Sequence, residues 1–299
     1  MAKNQIKEWL DAGETILLDG AMGTVLIEAG LEPGAPPELW NSTHPDRIRE
    51  IHRSYIGAGA QVILTNSFGG SPIRLAMHQL EDRVVELNQA AASLARMEAD
   101  AAGRPVVVAG SIGPTGALLA PLGPATFEQM KDGFAKQAGA LAAGGAEVIW
   151  IETMSDLGEV KAAVEGAHTT CDLPVVATMT FDTNGHTMMG VGPEQAVDAL
   201  AAMDLLAIGA NCGNGPGEIE HVVQVMRSRA PGLAIVAKSN AGIPKMVEGD
   251  VVYDGTPSVM AEHVQTVNQL GANLIGGCCG NSPDHIRAMA EALRADRPR

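Results

Sequence analysis

Short apolar runs rich in β-branched residues alternate along the chain with stretches whose apolar residues recur every three or four positions. The short runs have the length and composition of buried strands, and the longer stretches have the period of amphipathic helices. We predict strands at 15–19, 62–66, 106–111, 148–152, 175–180, 205–211, 234–240 and 273–277. We predict helices at 45–58, 82–102, 126–143, 155–168, 193–202, 217–229, 257–270 and 283–295.

This alternation of strands and helices predicts the fold. Eight strands, each followed by a helix, are typical of an α/β (β/α)₈ TIM barrel, and we predict one barrel domain over residues 1–299. A doubly wound open sheet is the competing architecture, but the first strand is not followed by a Gly-x-Gly-x-x-Gly turn. Longer loops at 30–41, 113–124 and 241–257 follow predicted strands, so a barrel would gather them at its catalytic face.

Composition narrows the class of protein. The chain is 46% hydrophobic but only 3% aromatic, so its core must be aliphatic. A net charge of −15 argues against a nucleic-acid partner, because phosphate binding needs clustered Lys and Arg. The N-terminus shows no signal-peptide core, no apolar stretch of about 18 residues predicts a membrane span, and four cysteines suit a reducing compartment. We therefore expect a cytoplasmic protein with no membrane contact.

Three of the four cysteines follow predicted strands in glycine-rich turns: Cys212, Cys278 and Cys279. In a barrel, strands six and eight are separated by one strand, so these thiols can meet. Three thiolates hold one soft metal ion and leave tetrahedral zinc with an open position, as in a catalytic site. The alternative is that they are buried apolar thiols, which is how we interpret Cys171.

Other polar residues stand at the carboxyl ends of predicted strands. Asp19 and Glu152 have two interpretations. Either they cap helices, or they bind the ammonium group of an amino-acid substrate. The backbone of Gly20-Ala21-Met22-Gly23 could present N–H groups to a carboxylate. The candidate substrate-binding set is Asp19, Gly20, Ala21, Met22, Gly23, Asn66, Ser111, Glu152, Asn211 and Asn240.

The donor set of the predicted metal site indicates its chemistry. Three thiolates and Zn²⁺ carry a net charge of −1, which makes the metal a poor hydrolytic centre. Such a site is suited to binding a fourth sulfur, because metal coordination deprotonates a thiol whose free pKa is about 8.5. The natural product is an S-alkylated thiol.

Several segments together resemble the zinc-dependent homocysteine S-methyltransferases. They are LLDGAMGT (17–24), ILTNSFGG (63–70), GSIGPTG (110–116), IETMSD (151–156), GANCG (209–213), SNAGIP (239–244) and GGCCG (276–280). The resemblance covers nearly the whole chain. It implies a barrel in which Cys212, Cys278 and Cys279 hold zinc and the homocysteine thiolate takes the fourth position. It also implies that Asp19, the catalytic Glu152 and the backbone of residues 20–23 hold the amino-acid end, and that the product is methionine.

Members of this family take the methyl group from betaine, from S-methylmethionine or from methylcobalamin on a corrinoid-binding partner. Betaine users surround the quaternary ammonium with aromatic rings; Trp40 is available here, but the segment at 67–72 reads SFGGSP where a tyrosine would be expected. The segments TNSFG, GSIGPTG and TFDTNG resemble the homocysteine domain of cobalamin-dependent methionine synthase. Because the chain ends at Arg299, straight after the last predicted helix, we expect the corrinoid on a separate protein. A self-sufficient betaine or S-methylmethionine enzyme is the alternative.

Two further functions remain open. Lys238, on the seventh predicted strand, could form a Schiff base in a barrel lyase; more simply, its stem packs along the strand and its ammonium reaches solvent. The second open function is that of a non-enzymatic subunit that only docks a corrinoid protein. Of the histidines, only His186 is predicted near the catalytic face. We expect five others, in helical patterns, to be solvated: His78, His168, His221, His263 and His285.

Overall fold

The computed structural model describes residues 4–243, 245–247 and 250–295. Eight parallel strands form one sheet: Ile16–Leu17, Val62–Leu64, Val107–Ile112, Val148–Met154, Val175–Met179, Ala207–Cys212, Ala234–Ser239 and Leu274–Gly277. We number these barrel strands first to eighth. Around the sheet, the first strand pairs with the eighth, the eighth with the seventh, and so on down to the second.

The barrel closes between its first and second strands. Leu18 forms an isolated parallel bridge with Val62, and the Asp19 N–H donates to the Val62 carbonyl at 3.1 Å. On the other side of the bridge, the Gln61 N–H donates to the Leu17 carbonyl at 2.7 Å. The predicted (β/α)₈ barrel is therefore confirmed, and each predicted strand overlaps an observed one.

Helices surround the strands. The α-helices are Gln5–Asp11, Met22–Glu28, Trp40–Thr43, Pro45–Ala58, Pro72–Ala76, Val84–Asp100, Phe127–Ala143, Leu157–Thr170, Pro193–Ala201, Pro216–Arg229, Pro257–Gln269 and Pro283–Ala295. Pro37–Leu39 and Glu81–Arg83 are 3₁₀ helices. Local capping explains two of the predicted starts: Thr126 and Gln129 form a capping box, and Asp156 accepts a hydrogen bond from the Glu159 N–H.

The loops differ most from the prediction. The predicted loop at 241–257 contains an antiparallel hairpin, Lys245–Val247 with Asp250–Val252. Residues 244, 248 and 249 of that loop lie outside the described part, as do residues 1–3 and 296–299 of the predicted domain. The first helix and Met22–Glu28 were missed because seven residues give too few turns for a clear helical period.

Packing leaves one end of the barrel available for a site. Side chains inside the barrel, including Leu18, Val62 and Trp150, form one buried cluster with Ile6 of the first helix. That helix precedes the first strand, so it covers the amino-terminal ends of the strands. The polar residues predicted for a site lie at the opposite, carboxyl-terminal ends of the strands.

Two other expectations concern a membrane span and the exposure of the histidines. No helix among the described residues is long and apolar enough to cross a membrane. His78, His168 and His221 are exposed as predicted. The prediction was wrong for His263, which is 2% exposed, because its ring accepts or donates a hydrogen bond at 2.8 Å with Glu220 between two helices. His285 is half-buried and contacts the Gly255 carbonyl, so it is not fully solvated either.

Candidate active site

Three cysteine thiols meet at the carboxyl ends of the sixth and eighth strands. Cys212 is the last residue of the sixth strand, and Cys278 and Cys279 follow the eighth directly. The Cys212 Sγ lies 3.2 Å from the Cys278 Sγ and 3.9 Å from the Cys279 Sγ. All three sulfur atoms lie within 4.8 Å of one another. The predicted convergence of these cysteines across one intervening strand is confirmed.

The spacing of the sulfur atoms fits a metal ion. Tetrahedral zinc with Zn–S bonds of about 2.3 Å separates its sulfur ligands by about 3.8 Å. The measured separations of 3.2 and 3.9 Å lie on either side of that value. All three donors are soft thiolate ligands, which suit zinc and other thiophilic metals. These cysteines can therefore bind a metal ion.

The thiols also influence one another electrostatically. Hydrogen bonds from Cys212 and Cys278 lower the pKa of Cys279 to about 3, against the effect of burial. The pKa of Cys212 is raised well above its usual value by its hydrogen bonds to Cys278 and Cys279 and by burial. The pKa of Cys278 is also raised, to about 12, so the cluster favours the charged form of Cys279 and the neutral forms of the other two thiols.

Asparagine side chains hold the cysteine turns. Cys212 has φ +64°, a left-handed conformation that is uncommon outside glycine. Asn240 donates to the Gly213 carbonyl at 2.7 Å and accepts from the Cys279 N–H at 3.0 Å, so it joins the two turns. Asn211 donates to the Cys278 Sγ at 3.8 Å. Asn211 and Asn240, predicted as substrate-binding residues, are thus placed behind the sulfur cluster and hold it.

Asn211 also ties the sixth strand to the fourth. Its Oδ1 accepts from the Thr153 N–H at 2.8 Å and from the Thr178 hydroxyl at 2.6 Å, and its Nδ2 donates to the Thr153 hydroxyl at 2.6 Å. Thr153 has φ +61°, which is strained for a β-branched residue. The strand register shifts between Ile151 and Met154, around Glu152. Thr153 and Thr178 were missed because these bonds join residues far apart in sequence.

A second cluster of charged groups lies beside the thiols. The Lys238 Nζ is 3.6 Å from the Asp19 Oδ1 and 3.7 Å from the Glu152 Oε2. The other carboxylate oxygens are fixed, since Asp19 Oδ2 accepts from the Leu64 N–H at 2.7 Å and Glu152 Oε1 accepts from the Ser111 hydroxyl at 2.6 Å. Lys238 is only 3% exposed. The prediction that its ammonium reaches solvent was wrong, because the two carboxylates hold it inside the barrel mouth.

Burial and mutual charge set the protonation of this cluster. Burial raises the pKa of Asp19 to about 6, opposed by Lys238 and the Leu64 N–H, and burial likewise raises the pKa of Glu152. Burial would lower the pKa of Lys238, but Glu152 and Asp19 raise it to about 12. A Schiff-base lysine must present a neutral amine. The structure therefore gives no support to the lyase alternative.

One cavity of about 390 Å³ joins the two clusters. The predicted substrate-binding residues that line it are Asp19, Gly20, Ala21, Met22, Gly23, Asn66, Ser111 and Glu152; Lys238 and the three cysteines line it too. The Ala21 N–H is already bonded to the Asn281 carbonyl at 2.9 Å, whereas helix Met22–Glu28 begins without a side-chain cap. Within the predicted segment, the backbone donors left for an anion are therefore those of residues 20, 22 and 23 rather than Ala21.

Other predicted residues lie away from this cavity. His186 is exposed and contacts the Asn184 carbonyl in a turn. Trp40 stacks on His44, with 4.5 Å between ring centroids, and does not line the cavity. Among the described residues that do, Phe68 is the one Phe, Tyr or Trp side chain, and the imidazole of His78 lines the cavity as well. Cys171 is half-buried in a groove at the opposite end of the barrel, as expected of a bystander.

Comparison with known proteins agrees with this geometry. The sequence profile of the homocysteine S-methyltransferase family matches residues 16–293. Methionine synthase from Mycobacterium tuberculosis is 35% identical over 293 residues, 92% of this chain and 24% of the relative. The enzyme of the same name from Mycobacterium leprae is 34% identical over 292 residues, again 92% and 24%. The chain thus spans about a quarter of the length of these curated relatives.

A solved structure matches over the whole chain. The metallated form of the homocysteine methyltransferase MmuM from Escherichia coli superposes with a TM-score of 0.81 and 27% identity, covering 96% of this chain and 99% of that one. Its apo form gives a TM-score of 0.77 and 25% identity. The predicted enzyme class is confirmed, and the chain belongs to the homocysteine S-methyltransferase family.

Proposed function

We propose that this protein transfers a methyl group to the sulfur of homocysteine and so forms methionine. The observation that carries the proposal is the single cavity of about 390 Å³ that has a thiol cluster on one wall and a buried carboxylate pair on another. Homocysteine carries a thiol at one end and an ammonium group at the other. Family membership supports the same substrate.

We further propose that the metal is zinc and that Cys212, Cys278 and Cys279 are its three protein ligands. The sulfur spacing and the all-thiolate donor set support this choice. Zinc bound there would offer an open position at which a substrate thiol loses its proton at neutral pH. The three cysteines and Glu152 are the proposed catalytic residues, and residues 1–299 are treated as one homocysteine-binding domain.

The charged side chains position the substrate. The ammonium group of homocysteine would lie against Asp19 and Glu152. Asp19 Oδ1 is buried and has no hydrogen-bond partner among the described residues, so it can accept a hydrogen bond from the substrate. Ser111 fixes the Glu152 carboxylate from behind. With the amino-acid end held, the sulfur can attack the methyl carbon in line with the bond to the departing donor.

The donor is proposed to be a methyl-corrinoid carried by a protein. Large apolar side chains are exposed on loops that follow the second, third and fifth strands, at the same end as the cavity: Phe68 is 39% exposed, Leu118 50%, Leu122 69% and Met188 73%. Exposed apolar side chains on one face are suited to a protein partner. The similarity to methionine synthases supports this donor.

A self-sufficient enzyme that uses a small onium donor is the second candidate. The near-complete superposition on MmuM favours it, because that homocysteine methyltransferase is matched over 99% of its chain. S-methylmethionine fits this alternative better than betaine, since Phe68 alone cannot form an aromatic cage.

Turnover with parallel donors tests both candidates. Zinc-loaded protein would be given homocysteine with free methylcobalamin, S-methylmethionine or betaine, and methionine would be measured. Activity with methylcobalamin alone supports the corrinoid proposal. Activity with an onium compound supports the self-sufficient enzyme, and no methionine from any donor would contradict the proposed reaction. The Cys278→Ala variant is the matched blank.

A further inference from the structure

We propose that Lys238 recognises the carboxylate of the substrate and so makes this site specific for an amino acid rather than for any thiol that carries an amine. The inference rests on the proposed function, because it assumes that a thiol amino acid occupies the cavity. A Schiff-base role does not suit Lys238, because the two carboxylates beside it favour its protonated form.

The first observation is that Lys238 pairs with its two carboxylates only at distances longer than a full hydrogen bond. Its Nζ lies 3.6 and 3.7 Å from the nearest carboxylate oxygens, whereas charge-assisted N–H···O bonds measure about 2.7–2.9 Å. An ammonium group has three N–H donors. The side chain is 97% buried, at 3% exposure, and lines the substrate cavity. A buried ammonium group with spare donors beside a cavity is a site for an anionic group.

The second observation is the balance of charge. Without Lys238, the carboxylates of Asp19 and Glu152 would be two negative charges with no cation beside them. The carboxylate of the substrate would add a third negative charge to the same cavity. With Lys238 and the substrate ammonium in place, three carboxylates face two cations in one compact cluster. The backbone N–H groups of residues 22 and 23 line the same cavity and add partial positive charge only. Lys238 supplies the full positive charge that these dipoles lack.

The third observation is the position of Lys238 on a rigid element. It belongs to strand Ala234–Ser239, paired on both sides, opposite Asn211 on one neighbour and Gly276 on the other. These neighbours are the strands that carry the cysteines. The distance between the ammonium group and the thiol cluster is therefore fixed by sheet register. This distance determines how far apart the carboxylate and the sulfur of a bound substrate can lie.

Two truncated thiols separate this role from a structural one. Mercaptopropylamine is homocysteine without its carboxylate, and mercaptobutanoate is homocysteine without its ammonium group. Dissociation constants for homocysteine and both analogues would be measured calorimetrically on zinc-loaded protein, for the wild type and Lys238→Met. We expect Lys238→Met to weaken homocysteine and mercaptobutanoate about 10- to 100-fold, the range for loss of a hydrogen bond between charged groups. Mercaptopropylamine should bind as well as before or more tightly.

Variants guard against loss of the fold. Lys238→Met leaves two buried carboxylates against one another, so the double variant Asp19→Asn with Lys238→Met restores the original net charge. Asp19 affects both amine-bearing ligands alike, so the ratio of homocysteine to mercaptopropylamine affinity isolates Lys238. That ratio should fall about 10-fold or more in both variants and be kept in Lys238→Arg. Lys161→Met, at a lysine with a 60% exposed side chain, is the surface control.

The outcomes are distinguishable. If the affinities for all three thiols change by the same factor, Lys238 acts only through its neighbours and the inference is overturned. If mercaptopropylamine loses most, Lys238 serves the ammonium end and the inference is again wrong. If wild-type protein binds no homocysteine at all, the proposed function fails instead.

Discussion

The two walls of the cavity are built on different principles. On the cysteine wall, neutral side chains fix the turns: Asn240 joins the Gly213 carbonyl to the Cys279 N–H, and Asn211 reaches Cys278. On the carboxylate wall, ionic groups face each other at 3.6 and 3.7 Å, and Asp19 Oδ1 lacks a hydrogen bond. The thiols of the first wall are held by these neutral contacts at a spacing that could bind a metal ion. The second wall keeps polar atoms, such as Asp19 Oδ1, that can form a hydrogen bond with a ligand.

The largest effect should come from the cysteine wall. Replacing Cys278 by alanine leaves two thiols, too few to retain zinc in competition with a chelator, so the metal should be lost and turnover should fall to the level of metal-free protein. Metal would be measured by mass spectrometry after dialysis, and methionine by chromatography. Cys171→Ala, at the opposite end of the barrel, is the matched control and should keep both. A metal-free Cys278→Ala protein with full turnover would contradict the assignment.

The carboxylate wall should respond differently. Glu152→Gln keeps the shape of the side chain but removes the charge that we propose binds the substrate ammonium, so KM for homocysteine should rise about 10- to 100-fold with zinc content unchanged. Loss of zinc in this variant would show that the two walls are not independent. The conservative Glu152→Asp variant, which keeps the charge, should recover part of the affinity.

A smaller effect is expected behind the cysteine wall. Asn240→Ala removes both bonds that join the two cysteine turns, and loss of such outer contacts typically lowers metal affinity about 10- to 100-fold. Affinity would be measured by competition with a chromophoric chelator. Asn66→Ala is a suitable control, because Asn66 bonds to the Pro37 carbonyl and to Asn41 on the other side of the cavity. Equal zinc affinity in Asn240→Ala and wild type would sink this interpretation.

A buried group outside the cavity provides a comparison without any ligand. His52 is fully buried, and within the described part of the chain neither ring nitrogen has a hydrogen-bond partner. Burial lowers its pKa from 6.5 to about 4 despite Glu98. Between those pH values the unfolded chain binds a proton that the folded chain excludes. The free energy of unfolding should therefore fall as pH drops through this window, by up to about 3 kcal/mol from this residue.

Urea unfolding from pH 7 to pH 4 would measure that slope. His52→Leu should flatten it, whereas a change at exposed His221 should leave it as in the wild type. An unchanged slope in His52→Leu would show that His52 is not the group responsible. Turnover at pH 7 should be equal in both variants, because neither residue lines the cavity.

The sequence predicted what depends on local pattern. Each barrel strand and the three cysteines were predictable, because strand period, glycine-rich turns and topology act together on Cys212, Cys278 and Cys279. The place of Lys238 was not, since its burial depends on two carboxylates more than 80 positions away along the chain. Asn211 and Asn240 were predicted at strand ends, but their contacts with the cysteine turns were not predictable, because a side chain's direction is set by backbone geometry such as the left-handed Cys212.

The seam of the barrel has a consequence for motion. The first strand is two residues long, and its link to the second depends on the Leu18–Val62 bridge and the bonds on either side of it. Asp19 stands directly on this seam and also accepts the Leu64 N–H. Amide hydrogens there should exchange with solvent sooner than those of the sixth and seventh strands, which pair over six positions. A ligand whose cation pairs with Asp19 should then stabilise this junction and slow hydrogen exchange at the Leu64 amide. Occupancy of the cavity would thereby be linked to closure of the whole barrel.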